Sequence, residues 1–69
     1  MNKALLKSAM AKYGDTQETL SKAMGLSLSR FNAKVNERKD AAFNQTEMSF
    51  IVSRYQLTND EAMAIFFAK

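Results

Sequence analysis

Apolar residues recur every three or four positions in five separate stretches of this chain, which is the spacing of one side of an α-helix. Polar residues or a glycine separate the stretches, so the pattern predicts five helices. We place them at about residues 3–13, 17–24, 28–36, 45–55 and 59–68. Proline is absent and glycine occurs only twice, which favours an all-α fold in a single domain spanning residues 1–69.

The residues around the second predicted helix indicate where it begins and ends. Either Asp15 or Thr16 can accept a hydrogen bond from its first turn, and Asp15 stands three residues before Glu18, as in a capping box. Gly14 and Gly25 follow the first and second helices, where glycine adopts the left-handed backbone that often ends a helix. We therefore expect the chain to turn sharply on both sides of this helix.

The second and third predicted helices are short and lie on either side of Gly25. Two helices joined by such a turn fit a helix-turn-helix, here over about residues 16–36. In that motif the later helix enters the major groove of DNA. The apolar residues that would hold the two helices together are Leu20, Met24, Leu26, Phe31 and Val35, and Ala23 joins Leu20 and Met24 on the expected core face of the second helix.

The outward side of the third predicted helix carries small and polar residues that suit base edges. Asn32 can form two hydrogen bonds with adenine, and Ser29 can donate or accept one. Leu28 and Ala33 can contact the methyl group of thymine. These residue types predict direct contacts with bases.

Other residues around the same helix suit the DNA backbone. Basic side chains neutralise phosphates, and amides at the start of a helix can bind one. The residues predicted to make such contacts are Arg30, Lys34, Arg38 and Lys39, together with the amides at the helix starts near Gln17 and Ser27, while Asn36 lies on the outward side with Asn32.

Charge is distributed unevenly along the chain. The net charge is +3, but residues 1–39 carry eight basic and three acidic side chains, whereas residues 40–69 carry two basic and four acidic ones. A basic half suits a polyanion such as double-stranded DNA. The same charges are also compatible with a solvated helical surface that has no partner.

Composition argues against several other classes of protein. Cysteine and histidine are absent, so the usual thiolate and imidazole metal ligands and the commonest general base are missing. We expect no enzyme, no cofactor and no small-molecule substrate. No apolar run approaches the roughly 20 residues that span a bilayer, and MNKALLKSAMAKYG lacks a signal-peptide cleavage site. We therefore expect a cytoplasmic protein without a membrane partner.

Residues 16–36, TQETLSKAMGLSLSRFNAKVN, resemble the helix-turn-helix of the phage Cro and repressor family. Residues 43–67, FNQTEMSFIVSRYQLTNDEAMAIFF, are similar to small Cro-like and repressor-like proteins of temperate phages that infect low-GC Gram-positive hosts. The resemblance covers nearly the whole chain. The residues that match the motif are Gln17, Leu20, Gly25, Leu26, Ser27 and Phe31.

The resemblance implies a five-helix, phage-repressor-like DNA-binding domain that acts as a dimer on operator DNA in the lysis–lysogeny switch, within the bacterial cytoplasm. Many relatives carry a long polar residue where Leu28 and Ala33 stand, and Trp or Leu where Lys34 stands. The family implies base contacts by Leu28, Ser29, Asn32 and Ala33, backbone contacts by Ser27, Lys34 and Asn36, and a contact of Gln17 with phosphate or the edge of the site.

A second interpretation keeps the fold but changes the partner. The outward side of the third helix carries few side chains that can hydrogen-bond to bases, and the last helix is strongly apolar. Both features suit a modulator that binds a companion phage repressor and alters its DNA binding. Phe66 and Phe67 point about 100° apart on one helix, so we expect one of them inside and the other exposed. Leu28, Phe66 and Phe67 are the candidate partner contacts, for a second copy or for the companion repressor.

Overall fold

Five α-helices account for most of the computed structural model, which describes Met1 to Phe67. They are α1 (Lys3–Lys12), α2 (Gln17–Ala23), α3 (Leu28–Val35), α4 (Gln45–Tyr55) and α5 (Asn59–Phe66), with one 3-10 turn at Arg38–Asp40. No strand occurs between Met1 and Phe67, so the all-α prediction is confirmed. The first four helices begin where the sequence predicts and end within one residue of the prediction. The predicted end of the fifth, Ala68, lies outside the described residues.

Every helix begins with a side chain that accepts a hydrogen bond from a backbone N–H of its first turn. At α2 the cap is Thr16, whose hydroxyl accepts the N–H of Thr19 at 3.2 Å, while the Thr19 hydroxyl accepts the N–H of Thr16 at 2.9 Å. The alternative capping box of Asp15 and Glu18 is therefore wrong, because the Asp15 carboxylate is engaged elsewhere. The five capping residues are Asn2, Thr16, Ser27, Asn44 and Thr58.

The hydrophobic core draws side chains from all five helices and from the connection before α4. The rings of Phe31 and Phe43 lie 5.7 Å apart and tilted, and Phe43 meets Phe66 edge-on at 6.4 Å. Such aromatic pairs add to the stabilisation that burial provides. The buried apolar residues are Leu6, Met10, Leu20, Phe31, Val35, Phe43, Ile51, Tyr55 and Ile65.

One residue expected in the core lies outside it. Ala23 is exposed, and the residue of α2 that is buried beside Leu20 is Ser21. The Ser21 hydroxyl donates to the carbonyl oxygen of Glu18 at 2.9 Å, so its burial leaves no unsatisfied polar atom.

Helix α1 packs against α5, and α2 packs against α3. The backbone N–H of Asn2 donates to the carbonyl oxygen of Ile65 at 2.7 Å, which joins the start of α1 to α5. On α3, Phe31 and Val35 are buried in the core, whereas Ser29 and Arg30 are exposed.

Asp15 fixes the turn between α1 and α2 onto α4. Its carboxylate accepts hydrogen bonds from Arg54 Nε at 2.7 Å and Nη2 at 3.0 Å, from the Tyr55 hydroxyl at 2.7 Å and from the Thr19 hydroxyl at 2.9 Å. The bonds from Arg54, followed by those from Tyr55 and Thr19, hold the pKa of Asp15 well below its usual range. This contact sets where α2 begins relative to the core.

The connection between α3 and α4 is more than the polar loop expected for residues 37–42. It contains a 3-10 turn, and Glu37, Lys39 and Asp40 have positive φ angles of 52°, 50° and 65°. A left-handed backbone costs a residue with a side chain about 1–2 kcal/mol. The segment that follows α3 therefore stores conformational strain.

Candidate nucleic-acid interface

A tight turn sets the position of α3 relative to α2. Gly25 adopts a φ of +72°, as the sequence predicted for a glycine at this position, and the Leu26 N–H donates to the Ser21 carbonyl oxygen at 2.9 Å. Leu26 packs partly against the core just before Ser27 begins α3. The turn is thus held by a glycine that suits its backbone and by an apolar residue beneath it.

The two sides of α3 have opposite character. Phe31 and Val35 are buried, whereas Ser29 and Arg30 are exposed. Asn32 and Ala33 are half-buried, and Leu28 is 44% exposed at the start of the helix. Among the residues predicted to contact bases, Ser29 and Leu28 are therefore the most accessible.

Three residues predicted to contact the DNA backbone already have partners within the protein. The Ser27 hydroxyl accepts the Arg30 N–H at 3.2 Å and caps α3. Lys34 Nζ donates to both carboxylate oxygens of Glu47, each at 2.8 Å. The Asn36 side chain accepts from Lys3 Nζ at 2.9 Å and donates to the backbone carbonyl oxygen of Asn32 at 2.9 Å.

The remaining predicted contact residues lie before and after this helix. Gln17 is the first residue of α2 and is half-buried. Arg38 and Lys39 are exposed in the strained turn that follows α3. With Arg30, three exposed cations lie on α3 and on the segment directly after it. Their positive charge would attract a polyanion.

Glu47 is a functional candidate that sequence reasoning missed. Only its role in the capping box of α4 is visible in the local pattern; its bond with Lys34 joins residues 13 apart on different helices. Burial alone would raise the pKa of Glu47, but the hydrogen bonds from Lys34 and the Asn44 N–H, with the nearby charges of Lys34 and Arg30, lower it overall. Glu47 is therefore a carboxylate beside two cations of α3.

A second surface lies on α4 and α5. Phe66 packs against the core while Phe67 is 61% exposed, so the expectation that only one of them lies inside is confirmed. The two rings border a groove of about 700 Å³ that Met48 and Val52 also line. Met63, also on α5, is 58% exposed.

The comparisons with known proteins returned no relative: no family model, no curated protein and no solved structure matches this chain. Between Met1 and Phe67 no helix has both the length and the apolar character needed to cross a bilayer. The same stretch contains no cluster of three or more side chains of the kinds that ligate metals. The features that bear on the function of this protein are the geometry of α2, α3 and the segment after them.

Proposed function

We propose that this protein is a transcription regulator of the phage Cro and repressor type that binds double-stranded operator DNA. Helices α2 and α3 and the Gly25 turn act as a helix-turn-helix, and α3 enters the major groove. The main support for the proposal is the difference between the buried and the exposed side of α3. Its buried residues Phe31 and Val35 join the core, while Ser29 and Arg30 stand exposed on a helix of the right size for the groove.

Base recognition would come from the outward residues of α3. Asn32 would pair with adenine, Ser29 would bond to a base edge, and Leu28 and Ala33 would contact thymine methyl groups. Because so few side chains would hydrogen-bond to bases, we expect modest sequence selectivity from one domain. Binding of a dimer to two half-sites would increase it.

Phosphate binding would come mainly from the exposed cations. Arg30, Arg38 and Lys39 would bind phosphates, and Gln17 would contact the backbone at the edge of the site. Because each neutralised phosphate releases counterions, affinity should fall steeply as salt rises. The basic first half of the chain supports this role, since its eight basic residues outnumber three acidic ones over residues 1–39.

Selection from a random library of DNA duplexes, followed by titration of the recovered sequence, tests the proposal. We expect selective binding over a scrambled duplex, weakening steeply between low and near-physiological salt. Asn32→Ala should cost about 1–3 kcal/mol on the recovered duplex, whereas Asn59→Ala, which alters an exposed asparagine on α5, should cost nothing measurable. Equal, weak binding to both duplexes would count against operator recognition.

The exposed apolar surface supports a second candidate function, in which the protein binds a companion phage repressor and changes how that repressor holds DNA. Met63 and Phe67 lie four residues apart, on α5 and at its C-terminal end, and are 58% and 61% exposed, and Leu28 at the start of α3 is 44% exposed. Pull-down of the products of neighbouring genes with this protein separates the two functions. A complex that Phe67→Glu abolishes, in a protein without selective DNA binding, favours the modulator.

A further inference from the structure

The cation nearest the end of α3 is not free. Lys34 Nζ lies 2.8 Å from both Oε1 and Oε2 of Glu47, and the two side chains are only 14% and 15% exposed. Arg30 lies one helical turn before Lys34, on the same flank of α3, but it is exposed. Two cations on one flank of one helix therefore differ, because one is neutralised from within the protein.

Glu47 is held in position independently of Lys34. Its Oε1 accepts the backbone N–H of Asn44 at 2.9 Å, and its own N–H donates to Asn44 Oδ1 at 2.8 Å. This capping box fixes the carboxylate before any cation approaches it. Pairing with Lys34 consequently costs little side-chain entropy on the glutamate, which makes the contact firmer than an ordinary surface ion pair.

We propose that the Glu47 carboxylate takes the place of a DNA phosphate at Lys34 and so holds this lysine out of the protein–DNA contact. The inference rests on the proposed DNA-binding function and concerns the regulation of its affinity. A carboxylate and a phosphate offer an ammonium group the same kind of acceptor oxygen, so the two compete for Lys34. The protein then binds operator DNA through fewer cations than α3 carries.

Glu47→Gln tests the competition because glutamine can also complete a capping box, so the start of α4 is preserved while the charge is lost. We expect duplex DNA to bind about 3- to 10-fold more tightly at roughly 0.1 M salt. The slope of log K against log salt should become steeper by about 0.9, as for one additional phosphate contact. Unchanged affinity and slope would overturn the inference.

Lys34→Gln supplies the complementary measurement and does not depend on Glu47→Gln being well folded. In the wild-type background it should leave the slope of log K against log salt unchanged, because Lys34 makes no phosphate contact while Glu47 holds it. In the Glu47→Gln background it should remove the whole gain. A slope that becomes shallower by about 0.9 in Lys34→Gln alone, or a gain that persists in the double variant, would overturn the inference.

Glu61→Gln is the matched control. Glu61 occupies the equivalent position in the capping box of α5, where it accepts the Thr58 N–H at 2.8 Å, and it lies at the surface. Glu61→Gln removes the same charge as Glu47→Gln from the same kind of position. Because it does not release Lys34, the affinity for DNA should stay within about 2-fold of wild type. An equal gain from Glu61→Gln would make the effect one of net charge and overturn the inference.

The role of Glu47 and the DNA-binding function on which it rests can be disproved separately. If the wild type binds duplex DNA and Glu47→Gln binds it with the same affinity and salt slope, only the role of Glu47 is overturned. Absence of duplex binding by both proteins at low salt overturns the proposed function and this inference with it. Thermal unfolding of each variant, followed by circular dichroism, confirms that the compared proteins are folded.

Discussion

The connections on either side of the α2–α3 pair are built in opposite ways. Before α2, Gly14 takes a φ of +73° that suits glycine, and Asp15 is tied by its carboxylate to α4. After α3, residues with side chains occupy the left-handed backbone at Glu37, Lys39 and Asp40. The first connection is unstrained and anchored to the core, whereas the second is strained and carries charged side chains at the surface.

The difference shows what each connection is suited to do. The turn at Asp15 stabilises the fold by setting α2 on α4. The segment after α3 keeps lysine and aspartate where glycine would suit the backbone better, so stability does not explain its sequence. Exposed Arg38 and Lys39 directly after α3 are what a segment that binds phosphate requires, in agreement with the proposed function.

The largest effect should come from removing the anchor of the first connection. Asp15→Ala deletes the acceptor of four hydrogen bonds and leaves the part-buried Tyr55 hydroxyl without that partner. We expect the free energy of unfolding to fall by about 2 kcal/mol, measured by urea denaturation at pH 7. Glu18→Ala, which removes an exposed carboxylate three residues away, serves as the control and should change it by less than about 0.5 kcal/mol.

The contribution of Asp15 should also depend on pH in a defined direction. Its pKa in the folded protein is lower than the value of about 3.9 in an unfolded chain, so folding favours the charged form. The stabilisation is fully present above about pH 4 and is lost progressively as the pH falls further towards the folded pKa. The difference in unfolding free energy between wild type and Asp15→Ala should therefore shrink below about pH 4. A difference that stays constant from pH 7 to pH 2 would contradict this assignment.

A smaller loss is expected at the glycine of the same connection. A Cβ at Gly14 would meet no atom within 4 Å, so Gly14→Ala tests backbone strain alone. We expect a loss of about 1 kcal/mol in chemical denaturation. Gly14→Asn should cost less, because asparagine enters the left-handed region more readily than alanine. Equal losses from both would argue for a cause other than φ.

The smallest effect, of opposite sign, is expected in the second connection. Lys39 has φ 50° and ψ 46°, so Lys39→Gly relieves strain and should raise the free energy of unfolding by about 0.5 kcal/mol. Lys39→Ala removes the same side chain but keeps the strain, and should give no such gain. If the glycine variant is less stable than the alanine variant, the connection is not strained at this residue.

Local features of the fold could be predicted from the sequence. The caps at Ser27, Asn44 and Thr58 act on residues three positions ahead, so their partners are adjacent in the sequence. The outward position of Ser29 and the inward positions of Phe31 and Val35 follow from helical periodicity. These features need no knowledge of how the helices pack.

Features that depend on packing could not be predicted in the same way. The Asp15 carboxylate has a local partner in Thr19, but its other partners, Arg54 and Tyr55, lie 39 and 40 residues away. Periodicity places Lys34 on a flank of α3 without revealing that Glu47 holds it. The burial of Ser21 in place of Ala23 likewise depends on how a short helix is rotated against its neighbours. For the candidate interface, the sequence indicated which side chains point outward but not which of them are free.

The caps and the Asp15 contact also differ in when they can form as the chain folds. A capping bond closes a loop of a few residues, so it can form within an isolated turn of helix before the chain collapses. The contact between Asp15 and Arg54 closes a loop of 39 residues and gains nothing until α4 has reached the first turn. The folding rate should therefore depend little on Asp15, while the unfolding rate should carry most of its contribution. By slowing unfolding, the contact of Asp15 with Arg54 should lengthen the lifetime of the native state.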